Sequence, residues 1–492
     1  MNTEASSSHT FKQFFWAIPL LLCLLQAGQI YAAWDRLFYE EIAESIRNVY
    51  WLEQKEIYDG VSSNIGWYGL LLFVYKTFGF SLHIAKIVRL VLYTLAIFSM
   101  AWTLKQCFGP KKSILPLVTL GLSPTWLYFN TYQTTYGLDI TYLALLSGLL
   151  YMLRTRNNAK NNTAIIFGLG LISSIAASTY PTFLLYLPFI LLIVLWPKSE
   201  QKKSWKIIFK QTSCFSTAFA LPLLSALLYL HEPMRLFYDA QSKGTGLFRA
   251  GGMQLNFDLS HIMNNLTQVA KDLFERGSSY YFSMPYPEFG GFFSWLSILG
   301  VLGILYIQRE QLQKQVPWFV IGLMLLIMSA LLPNLASVFP GLRRCTGILV
   351  GFYLIYLLSS TFVWNIPKTK LRLFCMLMLV GLPVNHLVAY KRNLAQLNIE
   401  YQYNNYPLLH TAPTPSLSLE KWLADTSQGK IIDCSKEVPT GKPCKLSEIF
   451  SCIQGHRLWN HGTNVPLYAK PPKHSEKIQL NLDLWRNYTL AH

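Results

Sequence analysis

The feature that most restricts this chain is a series of long apolar stretches, most of them near the length of a bilayer crossing, separated by short basic loops. An α-helix needs about twenty apolar residues to cross the hydrocarbon core of a bilayer, because each residue rises about 1.5 Å. Inside lipid every backbone N–H and C=O must be paired, so such runs are read as helices. The first covers 14–33. Others follow at 83–104, 113–131, 138–153, 163–179, 182–197, 208–230, 291–307, 317–333, 345–364 and 371–389. The expected fold class is an all-α polytopic membrane protein with about eleven crossings. Residues 64–80 are apolar but short and rich in Trp, Tyr and Gly. They read as an interfacial segment, since aromatic rings favour the headgroup level.

Composition agrees. Hydrophobic residues make up 52% of the 492 and charged residues only 14%. A water-soluble chain cannot cover that much apolar surface with so few charges. A net charge of +17 would suggest nucleic acid as a partner for a soluble protein. Here Lys and Arg cluster in the short loops, where they set orientation instead, and no nucleic-acid partner is expected.

Those loops fix a topology. Segments 105–112, 154–160, 198–210, 309–314 and 368–372 are basic, whereas 132–137, 180–181 and 334–342 carry no Lys or Arg. By the positive-inside rule the N-terminus is cytoplasmic, and 34–82, 231–289 and 390–492 lie outside. The first run fits an anchor or, with its Tyr31-Ala32-Ala33 end, a cleavable signal peptide. The chain then divides into a membrane unit, 1–389, and an extracytoplasmic unit, 390–492, expected to be small and mixed α/β. Two of its cysteines, Cys434, Cys444 and Cys452, can pair if that compartment is oxidising.

Acidic residues are scarce, so their positions carry information. Asp35 follows the first run directly, and Asp139 opens the fourth crossing at its outer end. The topology puts both at the outer membrane–water boundary. Two carboxylates there can hold a divalent cation or act as a general base. Asp35 also fits a solvated residue flanking a span, and Asp139 a charge favoured by a helix N-terminus. Arg343 and Arg344 begin a late crossing at its outer end, against the trend of the other outer loops. Arginine binds phosphate through paired donors, although snorkelling anchors would look the same in sequence. Arg249 sits within Gly244-Thr245-Gly246-Leu247-Phe248-Arg249-Ala250-Gly251-Gly252, a stretch flexible enough to close over a substrate. His386, near the outer end of the last crossing, reads as structural.

The segment Trp34-Asp35-Arg36-Leu37-Phe38-Tyr39-Glu40-Glu41-Ile42-Ala43 resembles the first outer loop of the GT-C membrane glycosyltransferases. It is nearest to the family-39 group of protein mannosyltransferases and aminoarabinose transferases. The likeness continues through Ile65-Gly66-Trp67-Tyr68, Thr77-Phe78-Gly79, Arg89-Leu90, Cys107-Phe108-Gly109, Leu122-Ser123-Pro124 and Asp139. It departs at Arg36, where the family has Glu, and in lacking a double proline before the interfacial segment. It covers roughly residues 15–200, with motifs that are specific through their order rather than singly.

The resemblance implies inverting transfer of a hexosyl or pentosyl group from a polyprenyl-phosphate-linked donor. The acceptor would be a lipid, a glycan or a protein, on the outer face of the inner (plasma) membrane, in cell-envelope work. It implies that the first run is an uncleaved anchor that positions Asp35 as general base, with Glu41 and Asp139 beside it. Tyr39, Arg89, Arg249, Arg343 and Arg344 would bind substrate, and Asp35 with Asp139 would hold Mg or Mn. The rival from another class is a transporter or flippase for lipid-linked sugars or related solutes. That reading calls for repeated halves and broken helices near the midplane, and the sequence displays neither.

Overall fold

The computed structural model describes residues 14–33, 49, 52–53, 55, 64–78, 84–132, 135–155, 159–195, 205–231, 233, 257–276, 286–335 and 342–397. Asp35, Tyr39, Glu41, Arg249 and the tail beyond 397, with its three cysteines, fall outside them. Among the described residues the chain is helical and contains no strand. The helices are α1 (Ala17–Ala32), α2 (Ile65–Phe78), α3 (Ile84–Phe108), α4 (Pro110–Gly121), α5 (Pro124–Phe129), α6 (Leu138–Thr155), α7 (Ala159–Thr179), α8 (Leu187–Leu195) and α9 (Trp205–Tyr229). They continue as α10 (Leu259–Lys271), α11 (Phe292–Ile307), α12 (Arg309–Lys314), α13 (Val316–Leu331), α14 (Gly347–Phe362) and α15 (Thr369–Leu397).

Seven stretches, Ile84–Phe108, Leu138–Thr155, Asn162–Thr179, Trp205–Tyr229, Val316–Leu335, Gly347–Asn365 and Thr369–Leu394, are long and apolar enough to cross a membrane. Ala17–Ala32, Ile65–Phe78, Pro181–Leu195 and Phe292–Ile307 are apolar but shorter. The apolar runs lie largely where the sequence puts them, with three differences. The run 182–197 opens as a 3-10 turn, Pro181–Leu185, before the nine residues of α8. The run 113–131 is not one helix. It breaks at Leu122–Ser123, because Ser123 caps α5 by accepting from the Trp126 N–H, and Pro124 takes the first helical position, where a missing N–H costs nothing. The last helix continues to Leu397, past the expected boundary at 389.

Contacts at both ends give the directions of the helices. At one end, called upper here, Lys86 of α3 donates to the carbonyl of Ala33, where α1 finishes. At the other, Lys105 near the end of α3 lies 4.7 Å from the ring centroid of Trp16, where α1 begins. Gly300 of α11 packs on Met378 and Gly381 of α15 on Phe293, so these two helices also run in opposite directions. Ser297 of α11 donates to the Met378 carbonyl of α15 at 2.6 Å.

Lipid tails are as apolar as leucine, so burial alone does not drive these helices together and close backbone approach matters more. At the α13–α14 crossing a Cβ on Gly351 would come within 2.5 Å of the Gly322 carbonyl oxygen. The outward faces of α9, α11 and α15 present Phe209, Leu228, Phe292, Leu299, Phe374 and Leu377, all largely exposed. Such faces suit lipid and would be costly in water.

Candidate functional site

Among the described residues six acidic or basic side chains are wholly buried: Lys86, Arg89, Asp139, Asp272, Glu288 and His386, each with 0% exposure. Ionisable groups inside a membrane bundle are expensive and mark function or a specific structural need. The partners separate the two cases.

Asp139 stands in the first turn of α6. The turn into that helix depends on Gly137, whose φ of +74° suits glycine and whose missing Cβ leaves room for Phe129. Three hydroxyls donate to Oδ2 of Asp139: Thr182 at 3.1 Å, Tyr186 at 3.3 Å, and Thr346 in a short contact. The backbone N–H of Ile140 also faces the carboxylate. Oδ1 is buried without a hydrogen bond of normal geometry. Thr346 comes two residues after Arg344, and Leu342–Arg344 forms a 3-10 turn just before α14. The two charged motifs singled out in sequence, Asp139 and the Arg343-Arg344 pair, are thus joined through Thr346, 207 positions from Asp139. Arg344 is half-buried. Arg344 and the buried Asp272 both act electrostatically on the Cys345 thiol.

Arg89 serves as a clamp. Its guanidinium donates to the carbonyls of Phe129 at 2.7 Å and Tyr136 at 3.0 Å, and to Asn130 Oδ1 at 3.4 Å. It also lies 5.5 Å from the ring centroid of Trp67 in α2. One side chain therefore ties α2, α3, the end of α5 and the approach to Asp139. Lys86, three residues into the predicted crossing 83–104, was not singled out in the sequence. Its bond to Ala33 holds the point at which the chain leaves α1, two residues before Asp35.

Glu288 and His386 form a second centre that the sequence did not connect. Glu288 Oε2 accepts from the Thr125 N–H at 2.8 Å, and Oε1 accepts from the Tyr353 hydroxyl in a short contact. His386 Nδ1–H donates to the Thr119 carbonyl at 3.0 Å. This leaves Nε2 facing the Tyr353 hydroxyl at 3.4 Å and Glu288 Oε1 at 3.8 Å. Thr119 lies in the last turn of α4, and Thr125 in the first turn of α5. The pair therefore closes the Leu122–Ser123 break, with a carboxylate at a helix start and an imidazole at a helix end.

Compared with protein-family models, with curated proteins and with solved structures, the chain matches none. Its chemistry has to be argued from the residues themselves. Among the described residues no three His, Cys, Asp or Glu side chains converge as metal ligands. Asp139 can offer Oδ1 to a cation, and a second carboxylate would have to come from elsewhere in the chain.

Proposed function

We propose that this protein is a GT-C-type membrane glycosyltransferase that moves a hexosyl or pentosyl group from a polyprenyl-phosphate carrier to a lipid, glycan or protein acceptor. The reaction takes place at the upper end of the bundle, on the extracytoplasmic face of the inner (plasma) membrane. The observation that carries this reading is the contact between Asp139 and Thr346. It brings an early acidic motif and a late arginine motif to one place, as transfer from a lipid phosphate requires.

Asp35 is the general base. It takes the proton of the acceptor hydroxyl as that oxygen attacks the anomeric carbon. The bond from that carbon to the phosphate oxygen breaks, the configuration inverts, and the phosphate leaves on its carrier. Arg343 and Arg344 oppose the charge that collects on the leaving phosphate. Asp139, through Oδ1, and Asp35 would hold Mg or Mn, and such an ion would supply positive charge at the phosphate. Tyr39 and Arg249 bind donor and acceptor, Glu41 assists Asp35, and Arg89 holds the frame around Asp139. The residues beyond Leu397 supply a small extracytoplasmic unit.

The helix break at Leu122–Ser123 is the one observation that favours a transporter, whose ion sites use freed backbone groups at such breaks. His386 and Glu288 already occupy Thr119 O and Thr125 N, so these two groups have nothing left to offer an ion. Asp35→Asn provides the test. With a polyprenyl-phosphate-linked sugar as donor, transfer is expected to fall by about 10²–10⁴-fold while the protein remains folded. Undiminished transfer would remove Asp35 as base, and movement of the donor across the bilayer without transfer would restore the transporter.

A further inference from the structure

Besides its charged groups, the bundle buries neutral amides whose polar atoms the fold leaves wholly or partly unpaired. Gln26 and Gln29 of α1 and Asn393 of α15 are all buried, at 0%, 0% and 0% exposure. Gln26 Nε2 donates to the Leu127 carbonyl at 3.3 Å, which aims this face of α1 at α5. Its Oε1 has no partner, and both side-chain polar atoms of Gln29 and of Asn393 have none either. Thr125 Oγ1, on α5, is likewise buried and unpaired.

These helices meet. The Tyr390 hydroxyl of α15 donates to the Leu25 carbonyl of α1 at 2.8 Å, and α5 packs against both. Gln29 lies one turn beyond Leu25 and Asn393 one turn beyond Tyr390, both helices running toward the upper end, so the two amides stand at the same height on adjoining helices. A buried amide left unpaired costs about 1–3 kcal/mol. Three neighbouring amides bearing that cost call for a ligand that supplies both donors and acceptors and carries no charge.

We infer that Gln29 and Asn393, with Gln26 and Thr125, form a subsite for the sugar ring of the donor, taking its hydroxyl groups. An amide both donates and accepts, as a sugar hydroxyl does. The position suits it, since α1 ends three residues beyond Gln29 and the chain reaches Asp35 three residues later. The inference rests on the glycosyltransferase reading and adds to it the residues that recognise the sugar, as distinct from the phosphate.

The test is binding of two probes to the full-length protein in lipid nanodiscs: polyprenyl-phosphate-linked glucose or arabinose, and the bare polyprenyl phosphate. Wild-type protein is expected to bind the better of the two sugar-bearing probes more tightly than the bare carrier. Gln29→Met and Asn393→Leu should each weaken that probe by about 10-fold and leave the bare carrier unchanged. Neither should lower the melting temperature, because each removes an unpaired polar group. Should Asn393→Leu fail to fold, Asn393→Ser is measured in its place with the same expectation. Equal binding of all probes by the wild type, or variants that bind as the wild type does, would overturn the subsite while sparing the donor reading; the amides would then hold buried water only. A fall in melting temperature with discrimination intact would make them structural and also overturn it. If neither kind of carrier binds, the glycosyltransferase reading fails and takes the subsite with it.

Discussion

Asp139 and Glu288 are both wholly buried carboxylates, yet their surroundings differ. Every oxygen of Glu288 is used, by a backbone N–H, a tyrosine hydroxyl and a facing histidine. Asp139 crowds three hydroxyls onto one oxygen and leaves the other without a proper bond. A protein that needs a carboxylate only for stability satisfies it fully, because each unpaired buried acceptor costs about 1–3 kcal/mol. Spare capacity at such a price is what a site retains for something outside the fold. On this comparison the fold satisfies Glu288, whereas Asp139 keeps one oxygen that the fold leaves without a hydrogen bond.

The largest effect that could break this division is on transfer. Asp139→Asn keeps an oxygen for the three hydroxyls and removes the negative charge. Transfer is expected to drop by about 10²-fold or more, with little change in the melting temperature of the purified protein. A large loss of stability would put Asp139 beside Glu288 as a structural group. Next in size is Glu288→Leu, which strands the Thr125 N–H, the Tyr353 hydroxyl and His386 together. A loss of about 3–5 kcal/mol is expected, read as a fall in melting temperature or as lost expression. His386→Leu frees only the Thr119 carbonyl and one face of the Glu288 carboxylate, and should cost about 1–3 kcal/mol by the same measurement. The smallest change is Ser123→Ala. It deletes the cap of α5 for about 1 kcal/mol, and hydrogen exchange should show it as faster exchange at Trp126.

Much of this framework was legible in the sequence, because apolar length and loop charge report directly on what lipid demands. The runs at 83–104, 138–153 and 371–389 correspond to α3, α6 and α15 for that reason. The break in 113–131 escaped because mean hydropathy does not register a two-residue interruption. Ser123-Pro124, a cap followed by a first-turn proline, was the signal that could have located it. Lys86 was hidden inside an apolar run, where a single charge barely alters the average. The separation of Asp139 from Glu288 was out of reach, since it depends on Thr346, Tyr353 and His386 arriving from distant helices. Leu122-Ser123-Pro124 read as one motif among several in a resemblance, whereas in the fold it makes a seam between helices.

That seam has a consequence for how the protein is made. Helices enter a bilayer in the order of synthesis, yet the cut ends at Thr119 and Thr125 are closed by groups that arrive more than 160 and more than 260 residues later. Until α15 has been inserted, the early part of the molecule carries open backbone groups in an apolar medium and cannot settle. Assembly of the nascent chain is therefore gated from its far end, and a fragment stopping short of His386 should be held by the insertion machinery or degraded, even though it contains most of the helices.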